Sequence, residues 1–202
     1  MPLVRAGKSP AGDGDSAPHR AALDSPDAES RWMAVRALSG NVDAVPALAA
    51  ALGREPVPRV REAIMTALIG IGNAASVEAI LPDLRSDDAG LRAAAVEALQ
   101  TMPEAVAPFM APLLSDSDSD VRLLATELVR NMDASEATRL LCGLIEREQH
   151  PNVCAAAIDV LTEVGTPQAL PALEKCAARF AATPFLSFAI SVAIARISGA
   201  EG

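Results

Sequence analysis

One arginine returns at an almost constant interval along this 202-residue chain, and an internal period constrains a fold more tightly than any local propensity. Arg31 stands in ESRWMAVRAL, Arg61 in PRVREAIMTAL, Arg92 in AGLRAAAVEAL and Arg122 in SDVRLLATELV, at intervals of 30, 31 and 30 residues. A fifth copy, PNVCAAAIDVL, has Cys154 at the marker position, and a sixth, PFLSFAISVAI, has Ser187. Seven residues after each marker the chain is apolar: Leu38, Leu68, Leu99, Val129, Leu161 and Ile194. Each copy also carries apolar residues at helical spacing, as in Val60, Ile64, Ala67, Leu68 and Ile71.

A second apolar stretch follows each copy after a short break: NVDAVPALAAAL, NAASVEAILPDL, MPEAVAPFMAPLL, DASEATRLLCGLI and TPQALPALEKCA. The breaks hold Gly40-Asn41, Gly72-Asn73, Pro103, Asp133 and Gly165-Thr166-Pro167, residues that stop one helix and start the next. GIGNAA, residues 70–75, follows a helix and so reads as a stop and turn, not as a dinucleotide loop. Each repeat is therefore a helix A, a tight turn and a helix B. Neither helix hides its apolar face alone, but stacked hairpins share a continuous core. The expected fold is all-α: a right-handed α-solenoid of about five to six helical hairpins with a period of about 31 residues. The repeats are placed at residues 27–54, 58–85, 88–115, 119–148 and 151–181, with a terminal helix at 183–198. The solenoid spans 21–202, and residues 1–20, rich in Gly, Pro, Ser and Asp, read as a flexible leader with a partial helix near 17–23.

Ser115 to Arg122 reads SDSDSDVR, close to the ligand spacing of a calcium loop. Such a loop needs glycine at its sixth position, where this chain has Val121, a core position of helix A. Asp27, Asp88 and Asp118 each lie four residues before a marker arginine, so they read as N-caps that accept from free backbone amides and favour the positive helix end. Arg31, Arg61, Arg92 and Arg122 form a ladder in a stack, expected to pair with turn carboxylates of the adjacent repeat and tether successive turns.

Half of the residues are apolar, five are aromatic and none is tyrosine, so the core is built from Ala, Leu, Val and Ile. A net charge of -9 with two lysines argues against nucleic acid as partner, and the local strip Arg54, Arg59, Arg61 and Arg85 reads as a solvated face. Cys142, Cys154 and Cys176 lack CxxC spacing and lie in apolar helical contexts, which fits a reducing, cytoplasmic compartment. No phosphate loop, nucleophile elbow or His-containing nucleophile arrangement is present, so no catalytic, cofactor-binding or metal residue is assigned. His150, before Pro151 in the turn between the fourth and fifth repeats, reads as a cap of helix B, with a pH sensor as the competing reading.

The pattern D-x-x-x-R-x-x-A-x-x-A-L, followed by A-V-x-A-L-x-x-x-L, resembles the short HEAT-like repeat of phycobilin-lyase subunits and of many bacterial HEAT-repeat proteins, over residues 24–198. The resemblance implies an armadillo-like helical scaffold that binds proteins, with partners on a concave face lined by helix B. Deoxyhypusine-hydroxylase-like relatives hold two irons with paired His-Glu motifs, but His19 and His150 here are not followed by glutamate. HEAT-like DNA glycosylases present a basic concave surface, which this acidic chain lacks. The alternative the resemblance leaves open is a lyase-like or chaperone-like auxiliary that holds a tetrapyrrole or other cofactor for transfer.

Two surfaces suggest where a protein partner binds. PEAVAPFMAPLLS carries no charge between Glu104 and Asp116 and has two internal prolines, Pro108 and Pro112, expected to bend or break helix B. Ala107, Met110 and Ala111 are its outward candidates, with core packing the competing reading of Met110. The C-terminal stretch TPFLSFAISVAIARIS has Arg196 as its only charge and is shorter than a membrane span. Either its Ser187, Ser191 and Arg196 face water, or Phe185, Phe188 and Val192 form an interface with a partner or a second copy, giving a homodimer. The functional expectation is a non-enzymatic scaffold or adaptor, in a bacterial signalling or regulatory assembly, with no membrane or nucleic-acid role.

Overall fold

Apolar residues at three- and four-residue spacing become helices throughout residues 13–199, the part of the chain that the computed structural model describes, and no strand occurs among them. Residues 1–12 of the expected leader lie outside the described residues; from Asp13 the chain is helical. Contacts divide the chain into two compact units, Met1–Ala79 and Ile80–Gly202.

The first unit holds α1 (Asp13–Ala22), α2 (Ala28–Leu38), α3 (Val45–Leu52) and α4 (Pro58–Ile71), together with all but the last residue of α5 (Ala74–Ile80). α2 packs on α1 and α4, and α3 packs on α4. Val35, Leu38, Leu48, Val60, Ile64 and Leu68 close this core, each fully or almost fully buried. Pro58 opens α4 at its first turn, where its missing amide costs nothing. Gly72 ends α4 in the left-handed region at φ 64°, its amide donating to the Leu68 carbonyl at 2.9 Å. The Asn73 side chain then accepts from the Ser76 amide at 2.8 Å and starts α5.

The second unit holds α6 (Ala89–Gln100), α7 (Pro103–Val106), α8 (Met110–Leu113), α9 (Ser119–Val129), α10 (Ala134–Arg147), α11 (Pro151–Val164), α12 (Leu170–Arg179) and α13 (Pro184–Ile197). Its A helices stack in chain order: α9 packs against α6 and α11, and α11 against α13. The B helices form a second layer, in which α10 meets α11 and α12, and α12 meets α13. Val121, Ala125, Leu128 and Val129 make the buried stripe of α9 at offsets of four, seven and eight residues. Leu99, Leu128, Leu141, Leu144 and Leu161 are nearly or fully buried, each contributing roughly 1.5–3 kcal/mol by burial.

B helices are less regular than A helices because they carry prolines. Pro108 sits in a 3₁₀ turn (Ala107–Phe109) that separates α7 from α8, and Pro82 and Pro167 lie in similar turns at Leu81–Arg85 and Pro167–Ala169. Each proline removes an amide donor from the helical pattern.

Candidate functional site

The turns between repeats show what the marker residue does. Its side chain donates to the backbone carbonyl six residues earlier in every repeat from the first to the fifth. Arg31 reaches Ser25 O at 2.9 Å, Arg61 reaches Glu55 O at 2.5 Å, Arg92 reaches Ser86 O at 2.6 Å and Arg122 reaches Asp116 O at 2.8 Å. In the fifth repeat the Cys154 thiol takes the same role toward Glu148 O, at 3.7 Å. Ser187, in the sixth, donates to Phe180 O, seven residues back, at 3.2 Å. A turn carbonyl that no helix serves is thereby satisfied.

In the first five repeats the residue whose carbonyl is served is polar, and its side chain accepts from the amide two residues on. Ser25 accepts from Asp27, Glu55 from Val57, Ser86 from Asp88, Asp116 from Asp118, and Glu148 from His150, at 2.9–3.2 Å. Asp27, Asp88 and Asp118 stand at the N-caps of α2, α6 and α9, accepting from Ser30, from Gly90 and Leu91, and from Asp120. Ser30 above all, through its hydroxyl and its amide, holds the Asp27 carboxyl below the usual range. His150, expected to cap helix B, stands instead at the N-cap of α11, a helix A, and makes no side-chain cap bond.

Two of the four marker arginines also reach a carboxylate in the following turn. Arg31 pairs with Glu55 through Nε and Nη2 at 2.8 and 2.7 Å, and Arg122 pairs with Glu148 at 2.6 and 3.1 Å. Both glutamates are buried, at 5% and 7% exposure, and both are held below the usual carboxylate range. For Glu55 the leading cause is the Arg31 hydrogen bond. For Glu148, burial pushes the carboxyl up, but Arg122 and the His150 and Gln149 amides together outweigh it. Arg61 and Arg92 donate instead to the Glu55 and Ser86 carbonyls, while Asp116 pairs with Arg85. The sequence signal for the glutamates was present: each lies six residues before the next marker position.

Each aspartate of SDSDSDVR has a structural setting: Asp116 receives Arg85 and the Asp118 amide, Asp118 caps α9, and Asp120 lies in the first turn of α9. Val121 is buried in the core.

Of the outward candidates in the third repeat, Ala107 and Ala111 are exposed, together with Pro108 and Pro112. Met110 is not: it is fully buried, on one stripe with Val106 and Leu113. The physical reason is spacing, since Val106, Met110 and Leu113 are four and three residues apart and face the core together.

At the C-terminal end α13 buries Leu186, Ile190 and Ala193 while Phe185 and Phe188 stay 53% and 71% exposed. Val192 is half-buried. Phe188 and Val192 line a groove of about 470 Å³ with Ala155, Ala156 and Thr162 of α11. Ser191 and Arg196 are exposed, and Ser191 donates to the Phe188 carbonyl at 2.7 Å. The inner face of α13 thus closes the core, and its outer face keeps two phenylalanines.

Cys154 and Cys176 are buried between α11 and α12, with Arg179 Nη2 3.8 Å from the Cys176 sulfur. The neighbouring Cys176 thiol, and then burial, pushes Cys154 up; Cys154 in turn, aided by Arg179, brings Cys176 down to about 7. Among the described residues no helix is long and apolar enough to cross a membrane.

The sequence family described as HEAT repeats matches residues 17–100 and 106–182. No curated protein matches the chain. Among solved structures it is similar to an engineered protein from the Northeast Structural Genomics Consortium, with 18% identity over 92% of this chain and 97% of that one and a TM-score of 0.45. It is also similar to a designed armadillo repeat protein solved in complex with the peptide (KR)4, with 18% identity over 89% and 98% and a TM-score of 0.46.

Proposed function

Because the chain belongs to the HEAT-repeat family, we propose that it is a non-enzymatic scaffold or adaptor of the cytoplasm that binds a protein partner within a regulatory assembly. The observation that carries this reading is the outer face of α13. Two of the four phenylalanines in the chain, Phe185 and Phe188, stand exposed on one helix, beside a groove floored by the small residues Ala155 and Ala156. An aromatic side chain buries about 150–250 Å² when covered, so two of them supply the centre of an interface. The exposed, uncharged strip Ala107, Pro108, Ala111 and Pro112 is a second contact surface in this reading.

Light scattering after gel filtration and affinity capture from lysate, run on the native chain and on Phe188→Asp, test the reading. Expected is a dimer, or a captured protein, present with the native chain and lost with Phe188→Asp at unchanged circular dichroism. Identical mass and identical captured proteins for the two chains would refute α13 as the docking face.

A further inference from the structure

In the first unit a tryptophan and two arginines form an arrangement that the repeat pattern does not require. Trp32, the only tryptophan in the chain, lies half-buried on α2. Arg36, one turn further along α2, holds its guanidinium carbon 4.8 Å from the centre of the indole ring, and Arg59 of α4 holds its own at 4.4 Å. Neither arginine is at the marker position. Arg59 also donates to Glu29 at 2.9 Å and so links α4 to α2. Arg36 is exposed and makes no ion pair among the described residues. Trp32, Arg36 and Arg59 line a cavity of about 320 Å³ with Glu62, Ala63 and Thr66.

Stacking on an aromatic ring occupies the face of a guanidinium and leaves its in-plane N–H donors free. Arg36 is therefore a fork already oriented, and pairing it with a carboxylate loses less side-chain freedom than pairing a mobile arginine. Glu62, exposed on the same cavity, likewise makes no ion pair among the described residues. Its carboxylate, together with Glu29, opposes a second negative charge, so the cavity suits one acidic residue and disfavours a polyanion. The net charge of -9 works in the same direction against nucleic acid. Trp32 and Ala63 offer apolar surface for the neighbour of that acidic residue.

We propose that the cavity of Trp32, Arg36 and Arg59 docks a protein segment that presents a single Asp or Glu carboxylate to Arg36 and an apolar neighbour to Trp32. This rests on reading the chain as a protein-binding repeat, but it uses residues of the first unit and stands apart from the surface on α13.

A random peptide library displayed on phage is selected on the full chain and on Arg36→Gln, and the enriched peptides are titrated against each chain. Trp32, as the lone tryptophan, reports binding at this site by its fluorescence. Enriched peptides are expected to share one acidic residue, to shift Trp32 emission, and to bind Arg36→Gln about tenfold more weakly, the loss of a charge-assisted pair. Phe188→Asp should bind them as the native chain does. Failure to enrich, enrichment without an acidic residue, unmoved Trp32 emission, or equal affinity for Arg36→Gln would each overturn the proposal. So would a shift of Trp32 emission by a short single-stranded oligonucleotide, which would assign the cavity to nucleic acid. Peptide binding as expected with no effect of Phe188→Asp on capture would keep this site and remove the one on α13; the opposite pattern would do the reverse.

Discussion

Glu148→Ala removes the acceptor at which one repeat is joined to the next, and its cost follows from the contacts around it. The carboxylate accepts from Arg122 Nε and Nη2 and from the Gln149 and His150 amides. Breaking a fully buried ion pair costs about 3–5 kcal/mol. Here Arg122 keeps the Asp116 and Ser117 carbonyls, at 2.8 and 3.2 Å, and its side chain is 16% exposed, so part of the loss is recovered. The expected cost is about 2–3 kcal/mol, and about 1 kcal/mol for Glu148→Gln, which keeps the shape and one acceptor oxygen. A double-mutant cycle with Arg122→Ala should show a coupling of about 1–2 kcal/mol. Urea unfolding must be followed by circular dichroism, because the only tryptophan, Trp32, lies in the other unit. Hydrogen exchange at the amides of α9 and α11 then locates the loss. A Glu148→Ala chain no less stable than the Glu104→Ala control, which alters an exposed glutamate, would refute the joint as a source of stability.

Four further outcomes are expected. Acid should weaken the same joint: the folded Glu148 carboxyl lies below its ordinary value of 4.5, so the unfolded chain takes up the proton first. Its contribution is then complete above pH 4.5 and lost as pH falls through the lower folded value, a decline that Glu148→Gln should flatten in pH-dependent urea midpoints. Asp88→Ala, which leaves the Gly90 and Leu91 amides of α6 without their cap, should cost about 1 kcal/mol in thermal unfolding. Gly72→Ala places a Cβ 3.3 Å from the Ile69 carbonyl at a left-handed φ and should cost about 1–2 kcal/mol by the same measurement. Ala111→Glu, at an exposed position, should change stability by less than about 0.5 kcal/mol while removing any captured protein that docks on the third repeat.

The helical hairpins were legible because two independent signals agreed: apolar spacing fixed each helix, and Gly, Pro, Asn and Asp fixed the breaks. Asp27, Asp88 and Asp118 could be placed as caps since each holds the same offset from a marker arginine. The start of α1 was harder to read, because DGDSAPHRAA has few apolar residues and an internal proline. The chemistry of Met110, an adaptable side chain, fits core and surface alike, although its spacing from Val106 and Leu113 places it on the core stripe. The cavity at Trp32 had no local signature. It brings residue 59 against residue 32, one repeat away, and only the register of α2 against α4 creates it.

The marker position explains why an arginine recurs here and where it can be replaced. Its constant task is to donate to a turn carbonyl six residues back, which any donor of suitable reach performs, and Cys154 does so with a thiol. Its second task, reaching forward to the next turn, needs a guanidinium with donors to spare and a carboxylate long enough to meet it. Glu55 and Glu148 supply that length, whereas the equivalent residues ahead of Arg61 and Arg92 are Ser86, which has no charge, and Asp116, which is shorter and engaged by Arg85. After Cys154 the forward partner is also gone: the equivalent position ahead is Ala181. Carboxylate and arginine are thus both absent at the fifth repeat, whereas Arg61 and Arg92 keep the first task alone, each serving a turn carbonyl. Restoring the acid alone should therefore gain nothing. Ala181→Glu without an arginine at 154 places an acid at an exposed position with no marker guanidinium to meet it, and a change in thermal stability of more than about 0.5 kcal/mol from that single change would contradict this account of the joints.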